Sequence, residues 1–149
     1  MEKQESGTLE VLVIEDNPEI RKIVGNIVNA LGATPTLAVD GEEGIQRYTE
    51  MFNAGVPYAA VITDFRMPNK DGVEVVQEIK GMSPTAPICM VTGDSPSTIE
   101  SAFDNKKFKA DDIAYKPSII PTIFNFLNYV KENKTSADIP TTPPTNGGQ

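Results

Sequence analysis

The sequence AAVITDFRMPNKDG at residues 59–72 joins an apolar run to a loop rich in Pro, Asn and Gly. An apolar run of this length and composition is typical of a strand buried on both faces of a parallel sheet. Asp64 stands where the strand ends and the loop begins. Because ligands bind beyond the carboxyl ends of strands in open α/β sheets, we expect this carboxylate to bind a hard cation or to act as a nucleophile.

Strand-like and helix-like patterns alternate along the chain on both sides of this stretch. Besides the strand that ends at Asp64, strands are predicted at residues 9–14, 34–39, 87–92 and 113–115, and helices at residues 18–31, 41–52, 73–82, 97 to about 108, and 119–130. Helices supply the right-handed crossovers that parallel strands need. The alternation therefore predicts a doubly wound α/β fold, in which five helices cover both faces of a five-stranded parallel sheet.

The composition is that of one ordinary globular domain with polar ends. The 149 residues are 39% hydrophobic and 23% charged, which suits a single core. Residues 1–8 form a polar leader, and residues 9–132 carry the alternating pattern. Residues 133–149 are rich in Thr, Pro and Gly. We expect them to form a disordered tail, because they offer too little apolar surface to offset the entropy of ordering.

Charge and hydropathy argue against several classes of partner. The net charge of −8 disfavours direct binding to nucleic acid or to an anionic membrane, since both need clustered Lys and Arg. The start of the chain lacks the apolar core of a signal peptide, and no apolar stretch is long enough to cross a bilayer. We therefore expect a soluble, cytoplasmic protein. The single cysteine, Cys89, lies within an apolar run and is expected to be buried in the core.

Polar side chains follow four of the five predicted strands. Glu15 and Asp16 follow the first strand, Asp64 ends the third, Thr92 ends the fourth, and Lys116 follows the fifth. The carboxyl ends of parallel strands share one edge, so these side chains should meet there. Three crowded carboxylates repel one another unless a cation is present. Mg²⁺ fits best, because it takes oxygen ligands from one or two carboxylates and a phosphate, whereas a chain without histidine is unsuited to zinc.

Lys116 and Thr92 would add the groups that a phosphoryl group needs. Lys116 supplies a compact positive charge and Thr92 supplies a hydroxyl donor. Together with Mg²⁺ they could contact all the equatorial oxygens of a phosphoryl group that is moving to Asp64. Gly93 would leave room for that group. The pattern is therefore consistent with formation of an acyl phosphate on Asp64.

The chain resembles one known family, the receiver domains of two-component response regulators. The matching segments are VLVIEDN at 11–17, VITDFRMP at 61–68, DG at 71–72, VTG at 91–93 and YKP at 115–117. They occur in the family's order and at similar spacing, and the resemblance extends over residues 9–132. The resemblance implies a flavodoxin-like fold with strand order 2-1-3-4-5. It also implies a stand-alone signalling module rather than an enzyme, one that catalyses only its own phosphorylation and dephosphorylation.

The resemblance implies a role for each matching residue around the metal. Asp16 and Asp64, with the backbone carbonyl of Arg66, are expected to be the Mg²⁺ ligands, with Mn²⁺ as an alternative ion. Glu15 is expected to act on the metal through water. These assignments follow from the resemblance alone.

The resemblance also implies how the phosphoryl group is received and reported. Asp64 would be the phospho-acceptor and would take the group from a phosphohistidine on a sensor histidine kinase or a histidine phosphotransfer protein. Lys116 would pair with the Asp64 carboxylate and then with the phosphoryl group, and its bond to Pro117 would be cis. Thr92 would move toward the bound group. Signalling would then reach an unknown protein target, through the face of the fourth helix, fifth strand and fifth helix, and homodimerisation stays open.

Two departures from the family pattern affect the expected switch. The family usually has an aromatic residue three positions before the lysine, and this chain has Ile113 there. Tyr115 lies on the same strand face by alternation and could substitute in part. The charged segment 104–109 differs from the family's Ala/Gly-rich version, which argues against a conventional fourth helix and against a dimer face through it.

Arg66 and Asp94 occupy the variable positions that flank the site, where family members tune the lifetime of the phosphoryl group. We hypothesise that Arg66 and Asp94 pair across the mouth of the site and limit access of attacking water.

Several other functions share parts of this sequence pattern. A receiver-like module that acts without phosphorylation remains open, as do a phosphorelay intermediate and an excised receiver of a hybrid kinase. An aspartyl-phosphate hydrolase of the haloacid dehalogenase type would carry an Asp-x-Asp motif after its first strand, which this chain lacks. A nucleotide-binding domain would carry a Gly-rich loop there, which is also missing.

Overall fold

The structure, a computed structural model, describes residues 9–132. The predicted leader, residues 1–8, and the predicted tail, residues 133–149, lie outside the described residues. Within residues 9–132, no helix has both the length and the apolar character needed to cross a membrane.

Five strands and five helices alternate along the described chain. The strands are β1 (Glu10–Ile14), β2 (Thr34–Ala38), β3 (Ala60–Asp64), β4 (Ile88–Thr92) and β5 (Asp112–Tyr115); the helices are α1 (Pro18–Ala30), α2 (Gly41–Asn53), α3 (Gly72–Met82), α4 (Pro96–Ala102) and α5 (Ile120–Lys131). All strand pairs are parallel, and the sheet order is β2-β1-β3-β4-β5. The predicted fold class and the order 2-1-3-4-5 are therefore confirmed.

A hydrophobic core covers each face of the sheet. On one face, strand side chains such as Val11 and Val13 pack with α1 and with Phe126 of α5. On the other face, Leu12 and Ile14 pack with α2, α3 and α4. Every residue of β3 and β4 is buried, as expected for central strands of a sheet covered on both faces. These two strands consequently carry Asp64 and Thr92 on a rigid support.

The strand register aligns the ends of the strands at one edge. Ile14 lies opposite Thr63, so the residue after β1, Glu15, is level with Asp64. Asp64 lies opposite Val91. Thr92 lies opposite Tyr115, so Lys116 follows at the same edge.

Four of the helices that leave this edge begin with side-chain caps, whereas α5 has none. The side chain of Asn17 caps α1, that of Asp40 caps α2, and that of Ser95 caps α4. Asp71 caps α3 in a reciprocal pair with Glu74. Each cap satisfies backbone N–H groups that the helix itself leaves unpaired, and so each helps to fix a loop beside the strand ends.

The fourth helix is shorter than predicted. The expected helix from residue 97 to about 108 ends at Ala102, and Asn105 has a left-handed backbone with φ 61. The amide of Gln77, on α3, explains the difference: its Nε2 donates to the Phe108 carbonyl at 2.7 Å, and its Oε1 accepts from the Phe108 N–H at 3.0 Å. These bonds satisfy the Phe108 backbone without a helix.

Candidate functional site

Three carboxylates and one amine meet at the edge where the strands end. Oxygens of Glu15, Asp16 and Asp64 all lie within 4.8 Å of one another. The Nζ of Lys116 lies 3.7 Å from Oδ1 of Asp64, which is an ion-pair distance but longer than a hydrogen bond. The Lys116 N–H also donates to the Thr92 carbonyl at 2.7 Å. The structure thus brings together residues that are far apart in the sequence.

Asp64 is held at the bottom of this cluster. It is buried, and its Oδ1 accepts a hydrogen bond from the Phe65 N–H at 2.9 Å. Gly72 lies directly against the backbone of Asp64 and Phe65, and a Cβ added at Gly72 would collide with the Asp64 carbonyl oxygen. The close packing of Gly72 therefore helps to fix the backbone position from which the Asp64 side chain extends.

Glu15 is the most strongly perturbed acid of the cluster. Its pKa is raised from 4.5 to about 8, first by burial and second by the negative charge of Asp64. Its Oε2 accepts from the Asn17 N–H at 3.2 Å, a bond that opposes the shift only in part. The carboxyl of Glu15 therefore retains its proton at neutral pH unless a cation balances the charge.

The loop between β1 and α1 is held by a residue that sequence reasoning missed. A guanidinium N–H of Arg21 donates to the carbonyl of Glu15 at 2.8 Å and lies 3.4 Å from the carbonyl of Asp16. The side chain reaches back from the first turns of α1. No pattern in the sequence marks this contact, because Arg21 looks like an ordinary solvent-facing residue of an amphipathic helix.

The loop between β3 and α3 is pinned to the start of α2. Asn69 and Lys70 both have positive φ, 60 and 121, which is an unfavourable conformation for residues other than glycine. The amide of Asn69 donates to Oδ2 of Asp40 at 3.1 Å. A Cβ added at Gly41 would collide with the Lys70 carbonyl oxygen. Contacts with α2 thus hold the loop that follows Asp64.

Arg66 and Asp94 form a bidentate ion pair between the loops after β3 and β4. Nε of Arg66 donates to Oδ2 of Asp94 at 2.8 Å, and its terminal nitrogen donates to Oδ1 at 3.0 Å. The guanidinium also lies 4.9 Å from the centre of the Phe65 ring. Hydrogen bonding by Arg66 holds the pKa of Asp94 below its ordinary value.

Thr92 is connected to this ion pair. Its hydroxyl lies 3.3 Å from Oδ2 of Asp94, to which it can donate, and it accepts from the Asp94 N–H at 3.0 Å. Thr92 is buried at the end of β4. The Thr92 hydroxyl has one proton to donate. That proton is directed to the Asp94 carboxylate rather than to the acidic cluster.

Ile113 and Tyr115 lie on the same face of β5, away from the acidic cluster. Both line a cavity of about 510 Å³ between α4 and β5, together with apolar residues that include Ile99 and Phe103. Tyr115 is partly buried, and burial raises its pKa. The Lys116–Pro117 bond that follows is cis, as the sequence resemblance implies.

The acidic cluster fits a hard divalent cation. Its donors are carboxylate oxygens from Glu15, Asp16 and Asp64, the ligand type that Mg²⁺ prefers. Burial first, and then repulsion by the charge of Asp64, raise the pKa of Glu15, and Lys116 offsets them only in part. A divalent ion there would remove that repulsion.

Comparisons with known proteins identify one family. The family model for the response regulator receiver domain matches residues 11–128. The two-component response regulator ORR41 of Oryza sativa subsp. japonica is 33% identical over 111 residues, which are 73% of this chain and 84% of that protein. Hybrid signal transduction histidine kinase I of Dictyostelium discoideum is 28% identical over 140 residues, and the match spans 87% of this chain but only 8% of that protein.

Solved receiver domains have the same fold. A response regulator receiver domain protein from Clostridium thermocellum has a TM-score of 0.71 at 24% identity, covering 84% of this chain and 95% of that one. The receiver domain of a sensor histidine kinase from Pseudomonas aeruginosa PAO1, which has a magnesium ion coordinated in its active site cleft, has a TM-score of 0.71 at 21% identity, covering 84% and 99% of the chains.

Proposed function

This chain belongs to the response regulator receiver domain family, and from that membership we propose that it is phosphorylated on Asp64 in a Mg²⁺-dependent reaction. The donor is a phosphohistidine on a sensor histidine kinase or a histidine phosphotransfer protein. The phosphorylated form signals through altered protein–protein contacts. The chain spans only a small part of the length of several relatives. The activity and partners of those longer proteins therefore come to this chain only as proposals.

One observation supports this function above the others. Asp64 lies in one cluster with Glu15 and Asp16, and the amine of Lys116 lies 3.7 Å from Asp64. A nucleophilic carboxylate, a cation site and a fixed positive charge are the parts that phosphoryl transfer needs, because catalysis depends on positioning and on balancing charge.

Each residue has a specific task in the proposed reaction. An oxygen of Asp64 attacks the phosphorus of the phosphohistidine, and the bond from phosphorus to the imidazole nitrogen breaks. Lys116 balances the negative charge of the incoming group, and the hydroxyl of Thr92 donates a hydrogen bond to one of the phosphoryl oxygens. The same groups remain in place for hydrolysis by water, so we expect the domain to promote its own dephosphorylation.

Asp16 and Asp64 would hold Mg²⁺, with Glu15 acting on it through water, and the ion would neutralise the carboxylates and polarise the phosphoryl oxygens. Mn²⁺ has similar ligand preferences and should substitute for it. The magnesium ion in the cleft of the related kinase receiver supports this part of the proposal.

The surface that the proposed switch would alter lies beside Thr92. Thr92 pairs with Tyr115 across the β4–β5 register, and Tyr115 lines the cavity between α4 and β5. A shift of Thr92 toward the phosphoryl group would leave space that Tyr115 and Ile113 can fill. We therefore propose that this face, with α5, changes its affinity for a protein target on phosphorylation.

Intact-mass measurement with a small phosphodonor tests the proposal. With acetyl phosphate and Mg²⁺ the protein should gain the mass of one phosphoryl group. The gain should be absent without a divalent ion and in Asp64→Asn. Asp71→Asn, which changes a helix-capping acid outside the cluster, is the matched control and should still be phosphorylated. No gain in the unaltered protein would favour a module that works without phosphorylation.

A further inference from the structure

The hydroxyl of Thr92 has two possible acceptors in the proposed cycle. In the structure it lies 3.3 Å from Oδ2 of Asp94, and the Asp94 N–H occupies one of its lone pairs at 3.0 Å. A threonine hydroxyl has one proton to donate. Donation to Asp94 and donation to a phosphoryl oxygen therefore exclude each other.

The Asp94 carboxylate is fixed in the position that makes it a competitor. Arg66 binds both of its oxygens, at 2.8 and 3.0 Å, and the planar guanidinium defines the orientation of the carboxylate. The same oxygen, Oδ2, accepts from Nε of Arg66 and faces the Thr92 hydroxyl. The ion pair thus holds an anionic acceptor beside Thr92 before any phosphoryl group arrives.

We infer that Asp94 is a positioning residue that competes with the phosphoryl group for the Thr92 hydroxyl. This inference rests on the proposed function and adds a means of regulating it. The Arg66–Asp94 pair stabilises the unphosphorylated arrangement of Thr92 and so reduces affinity for a phosphoryl group. Breaking the Thr92–Asp94 bond is then one cost of switching.

A double-mutant cycle measures this competition. Beryllofluoride, added with Mg²⁺, serves as the phosphoryl analogue, and its apparent Kd is measured by calorimetry or fluorine NMR for the unaltered protein, Asp94→Ala, Thr92→Ala and the double variant. Removing Asp94 also removes a negative charge and releases Arg66. Those effects persist when Thr92 is Ala, so the cycle separates them from competition for the hydroxyl.

We expect Asp94→Ala to tighten beryllofluoride binding about three- to tenfold more with Thr92 present than with Thr92→Ala, the size of effect typical of one ordinary hydrogen bond. In Thr92→Ser, which retains a hydroxyl, the larger effect of Asp94→Ala should return. An equal effect of Asp94→Ala in the presence and absence of the hydroxyl would overturn the inference while leaving the proposed function intact. Failure of the unaltered protein to bind beryllofluoride with Mg²⁺ would overturn both.

Discussion

The guanidinium of Arg66 binds both carboxylate oxygens of Asp94 and connects the loop after β3 with the loop after β4. The side chain of Arg66 is 68% exposed and that of Asp94 is 25% exposed. Exposed ion pairs contribute little to stability, typically below about 1 kcal/mol. The position of the Arg66–Asp94 pair beside Asp64 and Thr92 instead favours a role in controlling access to the site, as hypothesised from the sequence.

Arg66→Ala should shorten the lifetime of the phosphoryl group on Asp64. Without the ion pair, water has a more open path, and a barrier lowered by ~1 kcal/mol would raise the hydrolysis rate about fivefold. The measurement is the loss of phosphoryl mass after the donor is removed. Arg47→Ala, which breaks an exposed pair with Glu43 on α2, is the control. An unchanged lifetime in Arg66→Ala would refute the hypothesis.

Gly72→Ala should destabilise the fold by about 1–3 kcal/mol, because the added methyl group would collide with the backbone beside Asp64. Gly81, on the same helix, has nothing within 4 Å of an added Cβ. Gly81→Ala should therefore stabilise the protein by about 0.5–1 kcal/mol. Urea unfolding of both variants gives the comparison, and equal effects would show that Gly72 is not needed for close packing.

Lys80→Met should destabilise the fold by about 3–5 kcal/mol. Nζ of Lys80 lies 2.8 Å from Oδ2 of Asp111, the two side chains are 4% and 11% exposed, and the variant leaves the Asp111 carboxylate without this partner. Lys70→Met breaks an exposed pair with Glu78 and should cost under about 1 kcal/mol. Similar losses of unfolding free energy in the two variants would contradict this ranking.

Asp40 should make stability depend on pH in the acid range. The Glu43 N–H, and then the Asn69 amide, donate to its carboxylate and hold its pKa below the ordinary value of 3.8. A carboxyl with a lowered pKa in the folded state stabilises the fold above the unfolded pKa, and the effect is lost as pH falls through the folded pKa.

Asp40→Asn keeps a capping oxygen but removes the charge, so its stability deficit should shrink as the pH falls below about 4. Carbon NMR titration of the Asp40 carboxyl tests the cause directly. The pKa should rise in Asn69→Ala, since one donor is lost. A pKa at or above 3.8 in the unaltered protein would be inconsistent with this explanation.

The strand ends were the most predictable part of the molecule. Alternating patterns predicted the parallel sheet, and a parallel sheet places Asp16, Asp64 and Lys116 at one edge, where the structure has them.

The features that the sequence did not predict depend on contacts between distant residues. The backbone of Phe108, beyond the end of α4 at Ala102, is bound by Gln77, which lies on another helix. The contact of Arg21 with the Glu15 carbonyl and the buried position of Lys80 likewise follow from packing. Residue type and periodicity carry no signal for such contacts.

Chemical mapping of the phosphoryl group tests the central claim most directly. After phosphorylation by acetyl phosphate with Mg²⁺, borohydride reduction converts an aspartyl phosphate to homoserine, and peptide mass spectrometry locates the converted residue. We predict homoserine at position 64 alone. Conversion at Asp16 or Asp71 instead, or no conversion of a protein that has gained phosphoryl mass, would contradict the account.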